Sequence, residues 1–328
     1  MISNRFRGLG LLAAAAVLAG ACSSAAATPT VAPATPAPAT ATPAAATPTP
    51  AATVAATATP AALATIPADQ LIKAGTLTVC SDTSYPPQET LDKSNQAVGS
   101  DIDLATEIAT RLGLKLDVKT TVFDSIIPAL QGGKCDIIIS AQTITSARLK
   151  VVDMIPYFAA GQSFVVAKGN PLNIKAVSDL CGKAVAAEKG TVEADHVAGT
   201  GDYKPADSLD GQCKAAGKKG VTLKVFDADT NALAALQAGT VAAHFTDEPV
   251  AGYEVAQASD KFEMVPSMTL ERGAEGISVL KTKTGVSAAV KAALLAMIAD
   301  GKYTTIITKW GVQSGGVAAA DVNATPAP

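Results

Sequence analysis

Residues 99–118 read GSDIDLATEIATRLGLKLDV, and the fold class follows from this stretch. Leu104, Ala105, Ile108, Ala109 and Leu112 recur at spacings of three and four, so they share one face of a helix over residues 101–112. Asp101 stands where a cap is wanted and Gly113 where a helix ends. Leu114–Val118 follows at once as a strand. Working outward, Leu77–Cys80 is a strand on the upstream side and opens into the loop Ser81–Gln88. Downstream, Asp124 is placed to cap a short helix through Leu130, Gly132-Gly133 breaks it, and Asp136–Ser140 is a buried strand. The order β-α-β-α-β predicts a parallel sheet with helices on both faces.

The pattern recurs. Ala129-Leu130-Gln131-Gly132-Gly133 feeds the strand Cys135–Ser140, and Ala235-Leu236-Gln237-Ala238-Gly239 feeds Val241–Thr246. A folded part of about 250 residues is large for a single core and suits two similarly built lobes.

The chain ends read differently. Arg5 and Arg7, the apolar run Leu9–Leu18, and the small residues Ala19, Gly20 and Ala21 before Cys22 form an export signal over residues 1–21. The run is too short to span a bilayer. Cys22 resembles the lipidated cysteine of a bacterial lipobox, which predicts an extracytoplasmic protein anchored to the membrane. Residues 22–66 are almost entirely Ala, Thr and Pro and have no face to bury, so they predict a disordered tether. Residues 315–328 are expected to be a disordered tail. With 26 Lys and Arg against 29 Asp and Glu, and no basic block, nucleic acid is not a partner.

Four further stretches carry a family resemblance: residues 99–105, Thr143-Ile144-Thr145-Ser146-Ala147-Arg148 with Pro156-Tyr157 downstream, Leu180–Val185 leading to Gly190-Thr191, and Ala235-Leu236-Gln237 to Asp247. In this order and spacing the chain resembles the family 3 bacterial solute-binding proteins, the polar amino-acid binders of ABC importers. Ser100 and Gln88 replace residues that are large or aromatic in the family. The resemblance implies a two-lobed α/β fold of the periplasmic-binding type II class, each lobe a mainly parallel sheet flanked by helices, with two hinge crossings. Lobe 1 would comprise residues 67–161 plus 275–314 and lobe 2 residues 162–274, with the crossings near Ala159–Gln162 and Gly273–Gly276. It further implies hinge closure around an amino acid, delivery to an ABC permease, a monomer, and no cofactor.

The site chemistry of that reading is specific. A free amino acid presents a carboxylate and an ammonium. Arg148, in the first turns of a helix that Thr145 caps, can clamp the carboxylate in a bidentate fork. Ala141 and Thr143 would line the same pocket. Thr191 after Gly190 offers a hydroxyl and an N–H from the opposite lobe, and Asp247 at a strand end would hold the ammonium. Tyr85 and Phe123 match positions where the family packs rings on the ligand. Asp82 would meet a cationic or amide side chain, which favours a basic or amide amino acid.

Four cysteines remain beyond Cys22 and allow three pairings. If Cys135 starts a straight strand beside the one that Cys80 ends, roughly 13 Å separates them, beyond the ~7 Å reach of a disulfide. Cys80 and Cys135 are therefore expected as thiols, and the resemblance implies a Cys181–Cys213 bond. His196 and His244 show no metal-ligand spacing, so no metal is expected and His244 reads as a hydrogen-bonded core residue. No phosphate loop or nucleophile elbow occurs. Two alternatives keep the fold and change the function. One is an enzyme like the cyclohexadienyl or arogenate dehydratases, with Glu89 or Glu188 as general acid. The other is a ligand-sensing subunit for a separate receptor.

Overall fold

The computed structural model describes residues 65–327. The export signal, Cys22 and nearly all of the tether fall outside the described residues. The chain enters β1 (Thr76–Ser81) and then a three-stranded antiparallel ribbon of β2 (Ser84–Tyr85), β3 (Glu89–Leu91) and β4 (Ala97–Val98). Next come α1 (Ser100–Arg111), β5 (Lys115–Thr120), α2 (Ile126–Gln131), β6 (Ile137–Ile138), α3 (Ser146–Val151) and the long β7 (Val152–Ala167). The middle of the chain supplies β8 (Ala184–Glu188), α4 (Val192–Ala198), α5 (Leu209–Ala215), β9 (Thr222–Phe226), α6 (Asp229–Gln237), β10 (Ala243–Asp247), α7 (Glu248–Gln257) and β11 (Phe262–Met264). It returns through β12 (Leu270–Leu280) to α8 (Thr284–Ala299), α9 (Lys302–Lys309) and α10 (Ala319–Asn323).

The main sheet runs β5-β1-β6-β12-β7-β10-β8-β9, with β11 also on β7. Its two ends are parallel blocks, β5-β1-β6 and β10-β8-β9, joined in the middle by the antiparallel pair β7 and β12. Ala159, Ala160 and Gly161 of β7 lie opposite Ala274, Gly273 and Arg272 of β12, so the two expected crossings sit side by side. Side chains alternate across each block. Leu77 and Val79 face the core made with α1, α8 and α9, whereas Cys80 faces α2. Phe164 and Val166 face α4 and α5, whereas Val165 faces α6 and α7. Helices thus cover both faces of both blocks.

The sequence repeat is the same physical object twice. Lys134 N–H donates to Ala129 O at 2.9 Å and Thr240 N–H to Ala235 O at 3.0 Å. Gly133 and Gly239 close the two helices at φ +69° and +68°, a backbone that glycine adopts without a Cβ penalty.

Several local expectations are corrected. Asp101 does not cap α1; Gly99 holds the cap position, with φ +139°, and a Cβ there would fall 2.1 Å from Gln88 O. The Asp101 carboxylate instead accepts from Ala141 N–H at 3.0 Å and Tyr157 O–H at 2.5 Å. Asp124 does not cap α2; Ser125 takes that position and Asp124 pairs with Lys189 at 2.9 Å. The segment 315–327, expected as a disordered tail, carries α10, and Val322 is 1% exposed in the core made with α1, α8 and α9.

The largest correction is covalent. Cys80 and Cys135 are bonded, with Cα atoms 5.6 Å apart. The 13 Å estimate assumed a straight strand beginning at Cys135, but β6 contains only Ile137 and Ile138. Cys135 lies in the loop leaving α2, on the face to which Cys80 points, and both belong to the cluster with Ile126 and Leu130. Cys181–Cys213 is bonded as expected, at a Cα separation of 5.4 Å.

Candidate functional site

Strand ends at the junction of the two blocks build one small cavity. Tyr85, Phe123, Ala141, Thr143 and Arg148 come to it from one side, and Thr191 and Asp247 from the other. Seven of the eight expected ligand residues therefore meet. The space between them is about 10 Å³, room for one water. Thr143 and Asp247 also face an open cleft of about 760 Å³, so the cavity lies at the inner end of a wide entrance.

Arg148 is set by α3. Thr145 caps that helix through its hydroxyl, which accepts from Arg148 N–H at 3.2 Å. The guanidinium donates to Thr143 O at 2.6 Å and, across the cleft, to Gly190 O at 3.0 Å, and it lies 5.3 Å from the Phe123 ring centre. Burial pulls its pKa down from 12.5, against the fields of Glu193, Asp195 and Asp247. An arginine so placed remains charged at neutral pH.

Opposite it, Gly190 has φ +83°, and a Cβ there would lie 3.0 Å from Asp124 Cα. The backbones approach this closely only because residue 190 has no side chain. Thr191 caps α4, accepting from Ala194 N–H at 3.3 Å and donating to Glu188 O at 2.8 Å. Asp247 ends β10 at the cap position of α7 but makes no capping bond. Its Oδ2 accepts from Tyr85 O–H at 2.9 Å, while its N–H and the Thr246 hydroxyl donate to that same phenol oxygen at 3.0 Å. Tyr85 is thereby a strut between the two sides as well as a wall.

Ala141 has φ +44°, which an L residue adopts only when held there. Asp101 and Tyr157 hold it by accepting its N–H, at 3.0 and 3.1 Å. Asp82, by contrast, does not line the cavity. Its oxygens accept from Ser84 N–H at 3.0 Å and Phe123 N–H at 2.7 Å, so it positions Phe123 from behind.

Two further carboxyl groups do line the cavity: Glu188 at the end of β8 and Glu193 in the first turn of α4. Burial, reinforced by Asp82 and Asp229, pushes Glu188 up to about 10. Burial pushes Glu193 up to about 7, and Asp247 is raised well above its ordinary value by burial and the field of Glu193. Glu188 was readable by the rule that picked Asp247, since both end parallel strands at the crevice. Glu193 had no such signal, because an acid in a first helical turn ordinarily just complements the dipole.

Known proteins share this fold. The arginine-binding protein ArgT of Corynebacterium glutamicum is 28% identical over 258 residues, 79% of this chain and 81% of its own length. A solved ancestral arginine-binding protein bound to arginine has a TM-score of 0.63 at 38% identity, covering 72% of this chain and 98% of that one. An ancestral amino-acid-binding protein described as a precursor of cyclohexadienyl dehydratase has a TM-score of 0.62 at 33% identity, covering 72% and 95%. With residues 77–313 matching their common pattern, the chain belongs to the bacterial extracellular solute-binding proteins, family 3.

Proposed function

We propose that this protein captures a basic amino acid outside the cytoplasm by closing its two lobes and delivers it to an ABC importer. The observation that carries the reading is the make-up of the cavity, where one guanidinium, Arg148, meets three carboxyl groups, Glu188, Glu193 and Asp247, each able to give up its proton to a ligand cation. A ligand with one negative and two positive groups complements that set. The α-carboxylate goes to Arg148, the α-ammonium to Asp247 and Glu193, and the side-chain cation towards Glu188, with Tyr85 and Phe123 flanking the aliphatic stem. Thr191 and the backbone at Ala141 and Thr143 complete the cage. The arginine bound by the ancestral relative has this charge pattern.

An amino acid cannot enter about 10 Å³, so binding requires opening and reclosure. The adjacent strands β7 and β12 are where lobe 1 (67–161 plus 275–314) would hinge on lobe 2 (162–274). Ligand contacts from both lobes then stabilise the closed form that an importer reads. Lipidation at Cys22 after removal of residues 1–21 would hold the folded part near the membrane on its tether.

A thermal-shift screen of the common amino acids tests the ligand class. Arginine, lysine or ornithine should raise the melting temperature, and neutral amino acids much less, because a ligand held only by the folded state stabilises it by mass action. Arg148→Ala should abolish that rise while leaving the ligand-free melting temperature within a few degrees; an undiminished shift in this variant refutes the clamp.

Glu188 favours one second reading. A carboxyl group that keeps its proton at neutral pH is suited to general-acid work, as a dehydratase needs. Carbon dioxide release from prephenate or arogenate would select that function, and its absence together with a basic amino-acid shift selects transport.

A further inference from the structure

The face of β10 covered by α6 and α7 holds three ionisable side chains that the ligand site does not use. His244 on β10 is 0% exposed, Asp229 at the start of α6 is 1% exposed, and Glu254 on α7 is 5% exposed. His244 Nε2 lies 3.2 Å from Asp229 Oδ1 and 3.5 Å from Glu254 Oε1, and donor atoms of all three side chains fall within 4.8 Å of one another. The histidine is buried, as the sequence suggested, and its Nε2 is within ion-pair distance of both acids without strict hydrogen-bond geometry to either. Among the described residues neither ring nitrogen has a hydrogen-bond partner, nor do Asp229 Oδ2 and Glu254 Oε2. The carboxylates that surround it come from α6 and α7, the helices just before and just after β10, at separations that match no metal-ligand motif.

His244 Nε2 lies within ion-pair distance of both acids, but neither contact is a short, well-aligned hydrogen bond. An imidazolium donating to a carboxylate sits at about 2.7–2.9 Å along the N–H direction, and both contacts here are longer and off that line. The three donor atoms also lie close enough together to surround one ion. Bonds of about 2.0–2.1 Å to a tetrahedral ion separate its ligand atoms by roughly 3.3 Å, between the two distances observed. An entering dication would take the place of the imidazole proton between the two buried acids. Asp229 Oδ1 also lies 3.1 Å from Thr246 Oγ1, whose single proton is shared between it and the Tyr85 oxygen, an outer contact that orients a ligating carboxylate.

We infer that Asp229, His244 and Glu254 form a structural site for one divalent metal ion of zinc-like preference, which pins α6 and α7 to β10, with a second carboxylate oxygen, Asp229 Oδ2 or Glu254 Oε2, as the fourth donor. The nitrogen-plus-oxygen donor set suits zinc and gives no soft sulfur ligand. Because the site is closed to solvent, the ion enters during folding. Its effect reaches the ligand wall through Thr246, whose hydroxyl meets Tyr85.

The untagged full chain, unfolded in guanidinium with both disulfides intact, is refolded with zinc chloride or with EDTA, desalted, and analysed for metal content and thermal unfolding. The expected result is about one zinc per chain, a higher melting temperature than the EDTA-refolded protein, and, after refolding with cobalt, the visible absorption of a tetrahedral site. Glu254→Gln and His244→Gln should each reduce retained zinc at least tenfold. Wild-type protein that retains no zinc and melts identically after both treatments overturns the proposal without reference to any variant. So does zinc retained equally by wild type and both variants, which would place the ion on another part of the chain.

Discussion

At the scale of single residues, the ligand cavity is governed by where carboxyl groups keep their protons. Glu193, pushed up to about 7 by burial, faces Asp247, which is itself raised well above its ordinary range. Two carboxyls in such contact share a proton, and a ligand ammonium must displace it. The bound state therefore holds fewer protons than the free one. Affinity for a basic amino acid should fall as pH drops below about 7, by up to about tenfold per pH unit for one proton released. Calorimetry in buffers of different ionisation enthalpy will show this as a buffer-dependent binding heat near pH 7, reduced in Glu193→Gln. A wild-type heat that does not change with buffer would mean that no proton leaves. Sequence gave access to part of this site. Arg148, Thr191 and Asp247 were picked out by the family resemblance, since a helix start or strand end alone says only cap or solvated charge, and the structure brings all three to one cavity. Asp82, picked out by the same resemblance, does not line the cavity and binds two backbone N–H groups, a role that a strand-end acid serves equally well. Glu193 was invisible, because its position in the first turn of a helix does not say which way it points.

Elements were legible where periodicity is strong and illegible where a short segment leans on tertiary contacts. The helix expected at 101–112 is α1, and the two repeated helix-to-strand units have the same hydrogen bonds at the same glycines. By contrast, α10 buries mainly Val322 and lies in an Ala-rich stretch that composition alone reads as tail. The strand expected at Asp136–Ser140 shrinks to two residues, and that shortening lets Cys135 reach Cys80. A bond closing 55 residues that join β1, α1, β5 and α2 should matter for stability. The chain-entropy estimate is about 4 kcal/mol. Replacing Cys80 and Cys135 together by Ser should lower the denaturation midpoint accordingly, with Cys181–Cys213 retained as an internal reference. A loss below about 1 kcal/mol would show that packing around Ile126 and Leu130 alone fixes the α2 corner.

For the molecule as a whole, buried acid is placed where the two halves join. Beneath the ligand cavity, Glu89, Asp101 and Glu275 gather around Tyr157, which lies on β7, while Glu275 lies on β12. Gln88 donates to Glu275 at 2.7 Å, Ser140 donates to Glu89 at 2.8 Å, and Glu89 Oε2 and Glu275 Oε1 have no partner among the described residues. Burial raises all three: Asp101 to about 6, and Glu89 and Glu275 well above their usual value. The sign is fixed by linkage. These groups hold protons in the folded chain at pH values where the unfolded chain has lost them, so stability is present below about 4.5 and declines as pH rises through the folded values. Glu193 and Asp247 act in the same direction, and the lowered surface acids Asp179 and Asp300 exert their effect only at lower pH. The decline is about 1.4 kcal/mol per pH unit for each proton held in excess, enough to move the melting temperature by several degrees between pH 5 and 8. Glu275→Gln should flatten that slope and raise stability at pH 8, because an amide keeps the acceptor for Gln88 and has no proton to lose. Thermal unfolding of both proteins across this range decides the matter. A wild-type melting temperature that is level or rises from pH 5 to pH 8 would mean that the acids at the junction are ionised in the folded chain and neutralised by groups outside this cluster.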